Sequence, residues 1–416
     1  MSLNENYAIK YNPYRWYPYL FVFILLFQTY VPSFKLNILL QVFVFLGLLI
    51  HQGWKIPKSL ILSNQFLLLI FFVGFIGSIL HLPNPKDILK DVFHFIKPIT
   101  GISLGYLIFR KIKEELLIYK WIIKAGVVLS VAHIFTLIFF TDYDSVHTLR
   151  GLTKDGFFEI FAFGILVFFN NWHPNTALFS KRMKYFFMLL LVTSMILYFS
   201  RTMMVGFGIL LLTQFGYTKW QKKNRNYLFF IVGLIGLFYA FLYSIKIDRN
   251  QPGLEAFLYK VKIAPAELLE TKINRENHTE LWDHWRGYEA KRAISLMNEH
   301  PSSYLFGVGY GSLVNLKFFA PLSDDKKGMK HISELHNGFI YLLYKTGLIG
   351  LLMYLIFLIK LYWEINRKKL TINEVLISAI GLFYLFSTLT ITGLYNGKDS
   401  ISILLSAFLF LKSEKN

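Results

Sequence analysis

The sequence predicts an all-α integral membrane protein of about 12 transmembrane helices, with a large, partly helical loop between helices 9 and 10. Three observations carry this. The 416 residues are 55% hydrophobic at a mean hydropathy of +0.45, too apolar for a soluble globular chain. Apolar runs of about 16–22 residues recur, close to the roughly 20 that cross a hydrocarbon layer at 1.5 Å rise per residue. Connections between runs are short except for one polar stretch over 246–336. The chain therefore divides into 1–245 with helices 1–9, the loop domain 246–336, and 337–416 with helices 10–12.

In order, the runs lie at 17–32, 36–51, 64–81, 98–109, 121–140, 156–170, 185–199, 202–217, 227–245, 337–359, 374–394 and 400–411. The first follows Pro13-Tyr14-Arg15-Trp16-Tyr17-Pro18 with no small-residue cleavage site, so it reads as an uncleaved span. Trp16, Tyr17 and Tyr19 suit interfacial anchors. The short fourth run is equally compatible with a tilted or half-inserted segment.

Orientation follows from the short loops. One set of alternate loops carries 21 Lys and Arg, the other 8. The positive-inside bias then places both termini in the cytoplasm and 246–336 outside. The formal charge of +19 thus reads as an orientation signal and an attraction to anionic lipid, with no nucleic acid implied. With no cysteine, disulfides and thiolate metal sites are excluded.

Chemistry-bearing residues gather on the outer side. Between runs three and four, Lys86, Lys90, His94 and Lys97 share one helical face. That segment reads as an interfacial helix, or as a basic stripe that helps hold a lipid diphosphate. Asp142-Tyr143-Asp144 has the spacing of a divalent-cation pair but, as a three-residue match, reads first as a solvated turn. Arg201 sits in a very short turn between runs seven and eight, where a guanidinium fork suits phosphate oxygens. In the loop, a helix is expected over 278–298, capped by Asn277 with Glu280, stopped by Pro301, and buried through Trp282, Trp285, Ala293, Leu296 and Met297. It carries Arg286, beside Asp283 and Glu289 as possible partners, and Arg292 as the competing arginine. His336 opens run ten beside Asn337, and a titratable group at a membrane boundary is a functional candidate by default. The four histidines at 278, 284, 300 and 331 have no metal-ligand spacing.

His336-Asn337, nine residues, Gly347, two residues, Gly350 resembles the signature of the O-antigen ligase family, whose relatives include O-antigen polymerases. The run Arg286-Gly287-Tyr288-Glu289-Ala290, then Pro301 and Gly307-Val308-Gly309-Tyr310-Gly311, is similar to the family's stretch ahead of its histidine, although Ala290 stands where tryptophan is frequent. The Ser200-Arg201 turn resembles the family's arginine site. The resemblance covers the topology and roughly 200–350. It implies a GT-C-like, metal-independent, inverting glycosyltransferase of the bacterial inner membrane with no cofactor and a periplasmic active site. The donor would be an undecaprenyl-diphosphate-linked glycan, and the acceptor a glycan or the lipid A core. Arg201 and Arg286 would grip the diphosphate, with Lys90, Lys97 and Arg292 in support, and His336 would act as general base. Gly347 and Gly350 are expected to be structural, through close helix packing.

The complete His-Asn-x9-Gly-x-x-Gly spacing tips the reading towards a ligase, with a repeat-unit polymerase for O-antigen, capsule or exopolysaccharide as the alternative. A lipid-linked glycan transporter is a third reading. It lacks related halves, and the runs are nearly charge-free: besides Glu374 at the start of one, they carry Lys124, Glu159 and Lys345, Lys345 alone lying well inside one.

Overall fold

The computed structural model describes residues 15–141, 156–249, 251, 254–269, 278–321 and 328–415. Among these residues the first nine long helices are α1 Tyr17–Tyr30, α2 Phe34–His51, α3 Lys58–His81, α4 Pro85–Ile112, α5 Glu115–Phe140, α6 Phe158–Trp172, α7 Lys181–Leu197, α8 Arg201–Gln214 and α9 Lys222–Ser244. Short helices α10 Leu254–Lys262, α11 Ala264–Leu269, α12 His278–Asp283, α13 Trp285–Asn298 and α14 Ser303–Phe306 follow, then strands β1 Val314–Ala320 and β2 Met329–Ile332. Helices α15 Gly338–Tyr362, α16 Ile372–Ile391 and α17 Ile401–Ser413 close the chain. Each predicted apolar run falls on a helix, mostly with its ends shifted by a few residues. Seven of these helices are long and apolar enough to cross a membrane: α2 to α5, α9, α15 and α16. Helices α1, α6 and α17 are apolar but shorter.

Side-chain caps set several helix starts, each satisfying a backbone N–H that has no partner within the first turn. Ser33 accepts from Leu36 N, Ser180 from Met183 N and Ser200 from Met203 N. Thr371 and Glu374 form a reciprocal capping box on α16.

The Lys86–Lys97 segment is a correction to the interfacial-helix reading. It is the first half of α4, continuous through Pro98, with Asp91, His94 and Lys97 buried. His94 and Lys97 of its stripe face protein and find partners there, while Lys86 and Lys90 stay exposed. Helix α4 packs closely on α17. A Cβ on Gly105 would lie 2.1 Å from Ser406 Oγ, so only glycine admits that approach. Of the three aromatic anchors expected at α1, Tyr17 is buried while Trp16 and Tyr19 are exposed.

Contacts sort the loops into two ends, as the alternate-loop pattern anticipated. At one end Lys97 Nζ reaches the carbonyls of Asn396 and Asp399, Ser78 Oγ reaches Tyr310 O, and His94 stacks on Phe34 at 3.9 Å. At the other, Arg110 bonds Lys55 O, Tyr362 bonds Thr218 O, and Lys412 pairs with Glu364.

Residues of the 246–336 region interlock with the first of these ends. Two features there were not expected. The helix anticipated over 278–298 breaks at His284 (φ −115°, ψ 14°). The break leaves Trp282 exposed while Trp285 is buried near Tyr288 and Phe318, a one-residue interruption that helical periodicity does not register. Strands β1 and β2 form an antiparallel pair with Val314 opposite Ile332 and Asn315 opposite His331.

The loop is pinned into the bundle through Tyr310. Its ring lies among Phe71, Phe75 and Phe95, and its hydroxyl donates to Phe71 O. Beneath it, Lys345 of α15 and Asp91 of α4 form a fully buried ion pair at 2.5 Å. Asp91 also accepts from Gly311 N, and Lys345 donates to Ser312 O. The charge expected inside run ten is therefore compensated by a partner from α4.

Candidate functional site

The site is assembled at the end of the bundle where α8, α13 and α15 begin. Asn337 caps α15, its side chain accepting from Phe339 N and Ile340 N, which fixes the backbone immediately after His336. Ten residues on, Gly347 interrupts α15 at φ 64°, ψ −168°, a region open essentially to glycine alone. A Cβ there would sit 2.3 Å from Leu305 O, so the kink makes room for α14. Val308 N then bonds Tyr344 O. Gly347 is structural, as expected, through a backbone kink that helix-packing rules do not anticipate.

His336 is held by Glu289 of α13. The carboxylate lies 3.0 and 3.1 Å from Nδ1 and accepts from the His336 backbone N–H at 2.9 Å. Trp285 Nε1 donates to the same carboxylate. Glu289 is only 1% exposed, whereas the His336 side chain is 52% exposed. A carboxylate only accepts, so Nδ1 carries the proton of this bond, and in the neutral ring the lone pair is the one on Nε2. Sequence reading offered Glu289 as a partner for Arg286. The structure gives it to the histidine instead.

Arg286 lies three residues, just under one helical turn, before Glu289 on α13, which puts it within a few ångströms of the histidine's support. Its partner is Glu267 of α11, at 2.5 Å from Nη1. Arg201, at the start of α8, reaches the same Glu267 oxygen at 3.5 Å and also donates to Lys260 O. Two arginines 85 positions apart in the chain thus converge on one buried carboxylate. Asp283 pairs with Lys260 and Arg249 and not with Arg286. Arg286 Nε is buried without a hydrogen-bond partner among the described residues, a state that asks for an explanation such as a ligand.

The remaining basic candidates are distributed differently. Lys90 donates to Ser333 Oγ at 2.7 Å and lies 3.4 Å from Glu334, two residues before His336. His94 Nε2 is 2.9 Å from the same Glu334 carboxyl. Burial works against the charged form of Glu334, but the His94 hydrogen bond and charge, with Lys90, outweigh it and bring its pKa down to about 2. Lys97 is buried against the α16–α17 connection. Arg292 is buried on β1 through Asn315 O, with Ser295 as a second partner. Neither joins the Arg201–Arg286 pair. Asp142, Asp144 and the Asn277 cap lie outside the described residues. Among those described, no group of three His, Asp or Glu is placed to hold a metal ion.

A polytopic helical membrane protein with two arginines and a carboxylate-held histidine at one end of its bundle is the class that fold and site define. Residues 186–355 match the sequence model of a family described as O-antigen ligase, and they contain Arg201, Glu267, Arg286, Glu289 and His336. Over those residues, about two fifths of the chain, it is similar to the O-antigen ligase family. A comparison with curated proteins finds no match.

Two members of the site, Glu267 and Glu289, were missed by sequence reasoning as functional residues. Glu289 carried a faint signal, three residues from Arg286 on one helix. Glu267 carried none, because its link to Arg201 and Arg286 exists only in the tertiary fold.

Proposed function

We propose that the protein is an inverting, metal-independent glycosyltransferase of the bacterial inner membrane. It moves a glycan from an undecaprenyl-diphosphate carrier onto a sugar hydroxyl at the periplasmic face, as an O-antigen ligase whose acceptor is the lipid A core. The observation that supports this most is the pairing of a convergent arginine couple with a histidine whose Nε2 faces out of a buried carboxylate's grip.

The acceptor oxygen attacks the anomeric carbon while its proton passes to His336 Nε2. The bond from that carbon to the diphosphate oxygen breaks, and the charge leaving with the diphosphate falls on Arg201 and Arg286. Two guanidinium groups supply the positive charge that other transferases draw from a divalent ion. Glu289 then stabilises the imidazolium formed at His336. Glu267 holds the two forks side by side before the donor arrives, leaving their other donors, Arg286 Nε among them, for phosphate oxygens. Lys90, paired with Glu334 two residues before His336, contributes at the rim, while Lys97 and Arg292 support the scaffold.

The test is in-vitro transfer from a defined lipid-diphosphate donor. Arg201→Ala, Arg286→Ala and His336→Ala proteins that insert normally should each lose transfer by about 10²-fold or more. Full activity in any of them refutes the assigned role. In a deletion strain, uncapped core with long carrier-linked polymer supports the ligase. Core bearing a single repeat assigns the polymerase reaction instead.

A further inference from the structure

At the end of the bundle opposite His336, a cleft of about 220 Å³ opens between α3, α15, α16 and α17. Its floor and its rim differ in chemistry. Phe66, Phe357 and Leu409 make an apolar wall running along the helices, and Lys360, Lys412 and Ser59 stand at the mouth. Lys412 pairs with Glu364 at 2.7 Å, and Glu364 also meets Arg367 at 2.7 Å. Lys360 has no acidic partner among the described residues, and its ammonium stands 5.4 Å from the Phe66 ring. One carboxylate thus faces three cations, so the mouth is net positive. Ser59 Oγ, Tyr106 Oη and Ser413 Oγ form a hydroxyl chain at 2.6 and 2.8 Å beside it.

We propose that this cleft binds an anionic phospholipid of the leaflet at that end. The phosphate sits between Lys360 and Lys412, with the hydroxyl chain at its edge, and an acyl chain lies along Phe66 and Phe357. Surplus charge at the mouth favours an anion, and the apolar wall favours an attached hydrocarbon over a free phosphate. Basic pockets between transmembrane helices on the positively charged side of a bundle take anionic headgroups. The loops at this end are the ones that carry 21 of the Lys and Arg counted above. This site is independent of the transfer chemistry proposed for the opposite end.

Native mass spectrometry of the full-length protein in detergent, titrated with phosphatidylglycerol, phosphatidylcholine or glycerol 3-phosphate, tests it. Phosphatidylglycerol should be retained about tenfold more strongly than phosphatidylcholine. A basic side chain at a lipid surface contributes a factor of about 5. Lys360→Ala should therefore weaken phosphatidylglycerol about fivefold, and Lys360→Ala with Lys412→Ala about 25-fold. Lys360→Ala breaks no ion pair, so its result stands even if the double variant fails to fold. Equal retention of the two lipids overturns the proposal, as does an unchanged Lys360→Ala protein. Glycerol 3-phosphate binding as tightly as phosphatidylglycerol would assign the cleft to a soluble phosphate and overturn the lipid.

Discussion

The Glu289 carboxylate and the His336 imidazole, 47 positions apart, meet at 3.0 Å, and the same carboxylate accepts the histidine's own backbone N–H. The pair fixes both where the ring points and which nitrogen carries the proton. Glu289→Gln keeps the shape but removes the charge that steadies an imidazolium. It also turns an amide N–H₂ towards Trp285 or His336, both donors. Transfer kcat should fall about 10²-fold, with donor KM little changed and the pH profile altered. A loss confined to thermal stability, with kcat and pH profile intact, would reduce Glu289 to a structural role.

Arg201 and Arg286 share Glu267, so their contributions should be coupled. Arg201→Ala and Arg286→Ala are each expected to lower kcat/KM by about 10²-fold, and the double variant by clearly less than the product. Arg286→Lys keeps the charge but loses the planar fork, and should recover little. A double-mutant cycle on kcat/KM measures this directly. Strict additivity would mean that the two guanidinium groups do not act on one anion.

How far the sequence could be read divides along physical lines. Helices were legible because each apolar run must satisfy its own backbone inside lipid, which leaves a long local signal. His336 and Arg201 were legible because charge beside a membrane span is costly and therefore conspicuous, and Arg286 because its stretch resembles the family's. Glu267 and Glu289 were not, since a carboxylate in a polar loop looks solvated until the fold buries it. The far half of the Lys86–Lys97 stripe, His94 and Lys97, misled for the complementary reason. Its periodicity was read correctly, but periodicity does not say whether a polar face meets headgroups or the buried polar groups of another segment.

The buried Lys345–Asp91 pair carries a stability prediction. Both side chains are 0% exposed, so removing one partner strands the other in the interior, at a cost of about 3–5 kcal/mol. Lys345→Met and Asp91→Asn should each lower the unfolding free energy in detergent by that order. The double variant should cost less than their sum, while losing about 1–3 kcal/mol because Ser312 O is left without its donor. Additive losses would show that the two charges do not depend on each other.

Glu334 supplies a pH dependence. Its pKa falls from the ordinary 4.5 to about 2 on folding, with the His94 and Lys90 contacts overcoming burial. A depressed carboxyl pKa gives stability that is fully present above about 4.5 and is lost as pH falls through 2. Because the side chain is 46% exposed, solvent screening reduces its worth to about 1 kcal/mol. Glu334→Gln should therefore melt below the parent protein at pH 7, with the gap closing between 4.5 and 2. A gap that stayed constant over that window would detach it from ionisation.

Gly347 offers the sharpest test of the geometry behind the histidine motif. At φ 64° and ψ −168° an alanine pays about 1–3 kcal/mol for the backbone conformation alone. Its Cβ would also press on Leu305 O at 2.3 Å, and backbone cannot rotate away as a side chain can. Relief requires α14 to move, and with it the Val308 N to Tyr344 O bond that ties the loop to α15. Gly347→Ala should thus lower thermal stability markedly and reduce transfer, although residue 347 touches neither arginine nor histidine. Gly208→Ala is the control: it lies in α8, closer in sequence to Arg201, and has nothing within 4 Å of an added Cβ. Its stability and activity should match the parent protein. Equal behaviour of the two variants would show that the kink does not govern how the loop, and hence Glu289, is presented to His336.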